Sequence, residues 1–133
     1  MKKSDAEIDP IRVLLVEDEY LISAWVAESL AEQGFAVHAV ANAGDALRHL
    51  ASARVDVLFT DINLEGAVDG AALARRARER VPGLVVVYAS ARSLLDPMAR
   101  VPGSFFVPKP YAPALVGRML ADALKSTAER VPA

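Results

Sequence analysis

Five short apolar runs alternate with five longer, mixed segments along the chain. The runs are Ile11–Val16, Phe35–Val40, Val55–Thr60, Leu84–Ala89 and Ser104–Val107. Most are rich in Val, Leu and Phe and nearly continuous in apolarity, the pattern of strands buried on both faces. The segment after the first run spaces Leu21, Trp25, Ala27, Leu30 and Ala31 at roughly three to four residues, the helical period. It ends at Gln33-Gly34, where glycine suits a left-handed terminus. Asn42 is placed to cap a second helix carrying Ala43, Ala46, Leu47 and Leu50. Asp69 is placed to cap a third, from Gly70 to Arg80, stopped by Val81-Pro82-Gly83. Pro113 falls in the first turn of a last helix with Leu115, Val116, Met119, Leu120 and Leu124.

The segment from Ala91 to Gly103 breaks this rhythm. Pro97 and Pro102 leave little room for a regular helix, so a short, partly irregular and mobile connection is expected. Strand–helix alternation repeated five times predicts an α/β sandwich on a parallel sheet, with right-handed crossovers placing helices on both faces. The dinucleotide fold and the flavodoxin-like order 2-1-3-4-5 both satisfy this pattern. In either, chemistry collects at the carboxyl ends of the strands.

Composition narrows the function classes. The chain has 133 residues, 53% hydrophobic and 24% charged, with a net charge of −2. That describes one globular domain without the basic footprint of a nucleic-acid binder. The absence of cysteine removes disulfides, Fe–S clusters and thiolate zinc sites. Roughly a fifth of the residues are alanine, which favours helices without naming a function. Met1-Lys2-Lys3 is followed by Ser4-Asp5-Ala6-Glu7 rather than by the apolar stretch of a signal peptide. No window approaches the roughly 20 apolar residues of a membrane span. A solvated tail over residues 1–10, a domain over 11–128, a short tail over 129–133 and a cytoplasmic location are therefore expected.

The strand ends carry the candidate chemistry. The first run ends in Glu17-Asp18-Glu19, the third in Asp61 with Ile62-Asn63, the fourth in Ser90 and the fifth before Lys109-Pro110. The order 2-1-3-4-5 would bring these side chains into one crevice. Glu17, Asp18 and Asp61 would repel one another there if bare. A hard divalent cation such as Mg²⁺ resolves that repulsion with oxygen ligands and retained water. Asp18 and Asp61 would bind it directly, Glu17 through water, and a backbone carbonyl near Asn63 would add an oxygen. With Lys109 as a second positive centre and Ser90 as a hydroxyl donor, the set suits an Asp nucleophile attacking a phosphoryl group.

This constellation resembles the receiver domain of two-component response regulators. The resemblance rests on Glu17-Asp18 after Val13-Leu14-Leu15-Val16, on Asp61 in Phe59-Thr60-Asp61-Ile62-Asn63-Leu64, on Ser90 in Tyr88-Ala89-Ser90, and on Lys109 in Val107-Pro108-Lys109-Pro110-Tyr111. It covers residues 11 to 128 and implies a flavodoxin-like (βα)5 sandwich of order 2-1-3-4-5. It implies Asp61 as phosphoacceptor, Glu17 and Asp18 as the Mg²⁺-binding acidic pair, and Asn63 as the donor of a main-chain carbonyl to the metal. Ser90 corresponds to the hydroxyl that turns toward the phosphoryl group, and Lys109 to the lysine that bonds its oxygen. Pro110 corresponds to a proline after a cis bond, and Phe106 to the switch aromatic. The implied partners are a sensor histidine kinase and a histidine phosphotransfer protein or downstream regulator, with no nucleic acid and no membrane. The span leaves no room for an effector domain after Arg130, so a stand-alone receiver with output through a partner is expected. Phosphorelay intermediate, phosphate sink and phosphate-independent scaffold are the alternatives. The motif Tyr88-Ala89-Ser90, the poor fourth helix and the short spacing to Lys109 are similar to a proteobacterial single-domain subfamily with a Phe-Ala-Thr-Gly signature, linked to the general stress response. Here Tyr88, Ser90 and Ala91 replace the Phe, Thr and Gly of that signature.

Other classes fit less well. An Asp-nucleophile phosphatase would carry a second Asp two residues after Asp18, where Tyr20 stands. A nucleotide or flavin site would need a phosphate-cradling first loop, and Glu17-Asp18-Glu19 would repel that phosphate. Several residues have plain structural readings. Glu19 reads as a first-turn helix acid and Trp25 as a core or partly exposed packing residue. His38 reads as a strand residue, His49 as a helix residue and Asp56 as the start of a strand. Arg75, Arg76, Arg78 and Arg80 read as a solvated helix face. Arg92 is placed to sit over the crevice and affect the access of water.

Overall fold

The computed structural model describes residues 9–64, 66, 68–91 and 100–130, with side chains as far as 125. The strands are β1 (Arg12–Val16), β2 (Ala36–Val40), β3 (Val57–Asp61), β4 (Val85–Ser90) and β5 (Phe105–Pro108). The helices are α1 (Tyr20–Glu32), α2 (Ala43–Ser52), α3 (Gly70–Arg80) and α4 (Pro113–Arg130). Each strand starts one or two residues later than the apolar run that predicts it. The sheet is parallel throughout, in the order β2-β1-β3-β4-β5. This is the flavodoxin-like arrangement. Most of the segment expected to be irregular, including Arg92 and Pro97, lies outside the described residues.

Strand periodicity divides the core into two layers. Val13 and Leu15 of β1, with Val57, Phe59, Val85 and Val87, pack on Val26 and Leu30 of α1 and on Val116 and Leu120 of α4. Leu14 and Val16, with Leu58, Val86 and Tyr88, pack on Ala46 and Leu50 of α2 and on Leu73, Ala74 and Ala77 of α3. Every residue of β3 and β4 is buried. That explains why those runs read as continuous rather than alternating.

The predicted helix signals hold in detail. Asn42 accepts the N–H of Asp45, and Asp69 accepts the N–H of Ala72. Gly34 follows α1 with φ +102°, a conformation that costs other residues a steric penalty. Pro113 opens α4, where its missing N–H is not needed.

The buried face of α1 differs from the sequence expectation. Ser23, Val26 and Leu30 face the core, with Ile22 and Ala27 partly buried against it. Leu21 (81% exposed) and Trp25 (58%) point to solvent, and Ala31 is exposed. The helix is apolar around most of its circumference, so apolarity alone mixes the faces: of the set it picks, Leu30 and Ala27 pack while Leu21, Trp25 and Ala31 are exposed. Leu115 at the start of α4 is likewise exposed. Glu19 stands at the N-cap position of α1, just before the first turn, and its side chain makes no capping bond.

Candidate functional site

The parallel order sets the ends of β1, β3 and β4 side by side, and the turn after β5 closes the row. Glu17 follows β1, and its N–H donates to the Val40 carbonyl at 3.1 Å, extending the β1–β2 ladder by one bond. Asp61 is the last residue of β3 and lies in register with Ala89. The next N–H, from Ile62, donates to the Ala89 carbonyl at 3.0 Å. Lys109 follows β5, and its N–H donates to the Ser90 carbonyl at 2.8 Å. The Lys109–Pro110 peptide bond is cis.

These backbone positions bring the charges together. The Lys109 Nζ donates to Glu17 Oε1 and to Asp61 Oδ2, each at 3.1 Å. Carboxylate oxygens of Glu17, Asp18 and Asp61 lie within 4.8 Å of one another. Glu17 and Asp61 are buried, Asp18 partly so. The remaining oxygens are oriented by main chain. The Glu19 N–H donates to Glu17 Oε2 at 3.1 Å, and the Asn63 N–H to Asp61 Oδ1 at 3.1 Å. A cleft of about 420 Å³ opens over this set, lined by Asp18, Glu19, Asp61, Asn63, Ala91 and Lys109.

The electrostatics follow from burial and pairing. Burial raises the Glu17 carboxyl above its ordinary value, although the Glu19 N–H and Lys109 pull the other way. Burial would lower the Lys109 ammonium, but its bonds to Asp61 and Glu17 outweigh that and raise it. Three carboxylates against one ammonium leave the cluster with excess negative charge. The donor set is all oxygen and opens on the cleft, which fits a hard divalent cation.

Of the residues singled out from sequence, the structure brings Glu17, Asp18, Asp61, Asn63 and Lys109 to one place. Ser90 ends the neighbouring strand but is buried at 2% exposure and does not line the cleft. Phe106 is half-buried in β5, in register with Tyr88. His38 and His49 lie elsewhere, their rings stacked at 3.8 Å.

Tyr111 was not assigned a role from sequence. Its ring tilts against Phe59 at 5.6 Å. Burial, with Glu17 the next cause, pushes its hydroxyl up to about 12. It lines a second, apolar cavity of about 310 Å³ beside Lys109, together with Ile22, Trp25 and Pro110. The signal available was its position two residues after the lysine.

Known proteins share this architecture. Residues 13–117 match the response regulator receiver domain family. The chain is 33% identical over 127 residues to the sensor protein TorS of Escherichia coli K12, covering 89% of this chain and 13% of that protein. It is 38% identical over 116 residues to the transcriptional regulator NtrC of the same organism, covering 81% of this chain and 24% of that protein. It therefore spans only a small part of either relative. A receiver protein of Sinorhizobium medicae WSM419, known from its crystal structure, superposes with a TM-score of 0.83 at 30% identity, covering 90% of this chain and 98% of that one. The chain belongs to the response regulator receiver domain family.

Proposed function

We propose that Asp61 accepts a phosphoryl group from a histidine kinase in a Mg²⁺-dependent reaction, and that the phosphorylated domain signals through a partner protein. The observation that carries this reading is the position of the Lys109 ammonium, 3.1 Å from both Glu17 and Asp61. It puts a fixed positive charge beside the Asp61 carboxylate at the mouth of an open cleft.

In this reading an Asp61 oxygen attacks phosphorus as the bond from phosphorus to the donor nitrogen breaks. The electron pair of that bond leaves with the donor histidine, and Asp61 becomes an acyl phosphate. Glu17, Asp18, Asp61 and the main chain at Asn63 would hold the Mg²⁺. The bound cation would neutralise charge on the transferring oxygens. Lys109 would transfer its hydrogen bond from Asp61 to a phosphoryl oxygen. The Asn63 N–H keeps one carboxylate oxygen in place and leaves the other for attack. Ser90 would reach the phosphoryl group by rotating out of its buried position, and Phe106 would report that motion at the surface of β5.

Supporting this, carboxylate oxygens of Glu17, Asp18 and Asp61 come within 4.8 Å of one another, as a shared cation requires. A second reading, outward transfer from Asp61 to a histidine of another protein, is favoured by the similarity to a sensor protein as well as to a transcriptional regulator. A role in the general stress response rests on the Tyr88-Ala89-Ser90 motif and on the short segment between Ser90 and Lys109, expected from its sequence to be irregular.

The test is intact-mass measurement after incubation with Mg²⁺ and a small acyl phosphate, then with a phosphorylated histidine kinase domain. One phosphoryl adduct that requires both Mg²⁺ and Asp61 is expected. An adduct that persists in Asp61→Asn, or no adduct from either donor, overturns the assignment. Mixing the phosphorylated protein with a histidine phosphotransfer domain then reads the outward direction.

A further inference from the structure

Helix α3 begins directly on the main chain of the proposed acceptor. Gly70, its first residue, is buried and donates its N–H to the Ile62 carbonyl at 2.9 Å. A Cβ at this position would fall far inside contact distance of the Asp61 carbonyl oxygen, 2.7 Å from the Ile62 Cα and 3.0 Å from the Asp61 carbonyl carbon. These are backbone atoms and cannot swing aside. Ile62 is tied to β4 through its N–H, and the Asp61 carbonyl accepts the Thr60 hydroxyl at 2.9 Å. The Asp61 main chain is thus held between α3 on one side and the ladder to β4 on the other.

We infer that Gly70 is a positioning residue for Asp61. Its missing side chain lets the capped end of α3 seat against the Asp61–Ile62 peptide, which fixes the turn from which the Asn63 N–H holds Asp61 Oδ1. Any side chain at position 70 moves that turn, and the carboxylate with it, relative to Lys109. The inference rests on the reading of Asp61 as phosphoacceptor. Gly117 provides the contrast. A Cβ there would also collide, but with the side-chain amide of Gln33, whose flexible stem can move.

The experiment compares Gly70→Ala with Gly117→Ala in the full chain. Both replace a helical glycine and both gain intrinsic helix propensity, so a general packing effect appears in both. At a temperature where both are folded, Gly70→Ala is expected to slow Mg²⁺-dependent phosphorylation by a small acyl phosphate by about tenfold or more, since small misplacements of reacting groups are costly. It is also expected to displace the amide resonances of Asp61, Ile62 and Asn63. Gly117→Ala should stay within about twofold of the parent, with that turn unshifted. A folded Gly70→Ala protein with parental rate and unshifted 61–63 resonances overturns the inference.

Should Gly70→Ala not fold, Thr60→Val carries the test. It removes the hydroxyl donated to the same carbonyl at nearly constant shape, and a several-fold slower rate with a shifted Asp61–Asn63 turn is expected. Parental behaviour overturns the inference. If the parent protein takes no phosphoryl group, the reading of Asp61 has failed separately, and the resonance shifts alone decide the role of Gly70.

Discussion

The ammonium of Lys109 lies 3.1 Å from Asp61 Oδ2, joining the turn after β5 to the end of β3. The same nitrogen reaches Glu17 at 3.1 Å, so one side chain is the counter-charge for two buried carboxylates. Lys109→Met should remove both bonds and leave the carboxylates facing each other. A loss on the order of 1.5–3 kcal/mol is expected, the usual worth of hydrogen bonds to charged groups. Thermal unfolding in metal-free buffer reads this, and added Mg²⁺ should recover part of it. Phosphorylation of Asp61 should fall tenfold or more. A variant as stable and as readily phosphorylated as the parent would show that the ammonium is incidental.

Excess negative charge predicts how the cluster responds to metal. Mg²⁺ should stabilise the fold by mass action, on the order of 2.7 kcal/mol at a hundred times the dissociation constant, and the melting temperature should rise with it. Asp18→Asn should abolish that increment. In metal-free buffer the same variant should be at least as stable as the parent, because it relieves carboxylate crowding at no cost to the Lys109 bonds. A variant that keeps the full Mg²⁺ response would remove Asp18 from the proposed metal site.

Much of this was legible in the sequence because buried parallel strands leave a simple trace. Runs such as Leu84–Ala89 are apolar throughout, and their ends mark where polar chemistry begins. Glu17 and Asp61 could be placed because each directly follows such a run, and Lys109 because it stands two residues beyond one. What could not be read depends on three-dimensional approach. The seat of Gly70 on the Asp61 carbonyl and the bond from Val101 to Tyr88 join residues whose spacing carries no periodic signal. The face of α1 was misread for a different reason, since Leu21 and Trp25 are as apolar as the residues that pack.

The corrected face of α1 has an energetic consequence. Leu30 is fully buried, whereas Leu21 is 81% exposed. Leu30→Ala should destabilise by about 2–5 kcal/mol through lost burial and a residual cavity. Leu21→Ala should change stability by no more than about 0.5 kcal/mol. Chemical denaturation of both variants checks this, and equal losses would contradict the packing described.

The His38–His49 stack predicts a modest pH response away from the site. Burial, with His38 beside it, holds His49 below its usual value of 6.5. The folded state therefore binds its proton more weakly than the unfolded state. This contribution is fully present above the unfolded value and is lost as pH falls through the folded one. Arg12 and Arg54 line a surface cleft together with His38 and His49 and add positive charge there. Replacing His38 by Gln should raise the His49 value, read by NMR titration of the ring. An unmoved titration would show that the stack does not couple the two rings.

Tyr88 ties the sheet to the chain that returns toward β5. It is fully buried, and its hydroxyl accepts the Val101 N–H at 3.1 Å. Nearby, an Arg78 nitrogen donates to the Pro102 carbonyl at 2.8 Å, so two bonds fix the start of the turn before β5. Tyr88→Phe keeps the ring but leaves the buried Val101 donor unpaired. The cost of such an orphan is about 1–3 kcal/mol, larger than the net worth of an ordinary hydrogen bond. The melting temperature should fall accordingly, and the Val101 amide should exchange faster with solvent than in the parent. Phosphorylation of Asp61 by a small donor should change little, because Thr60, the partner of Tyr88 in β3, keeps its own bond to the Asp61 carbonyl. If stability and exchange are both unchanged, the Tyr88 hydroxyl does not hold this turn.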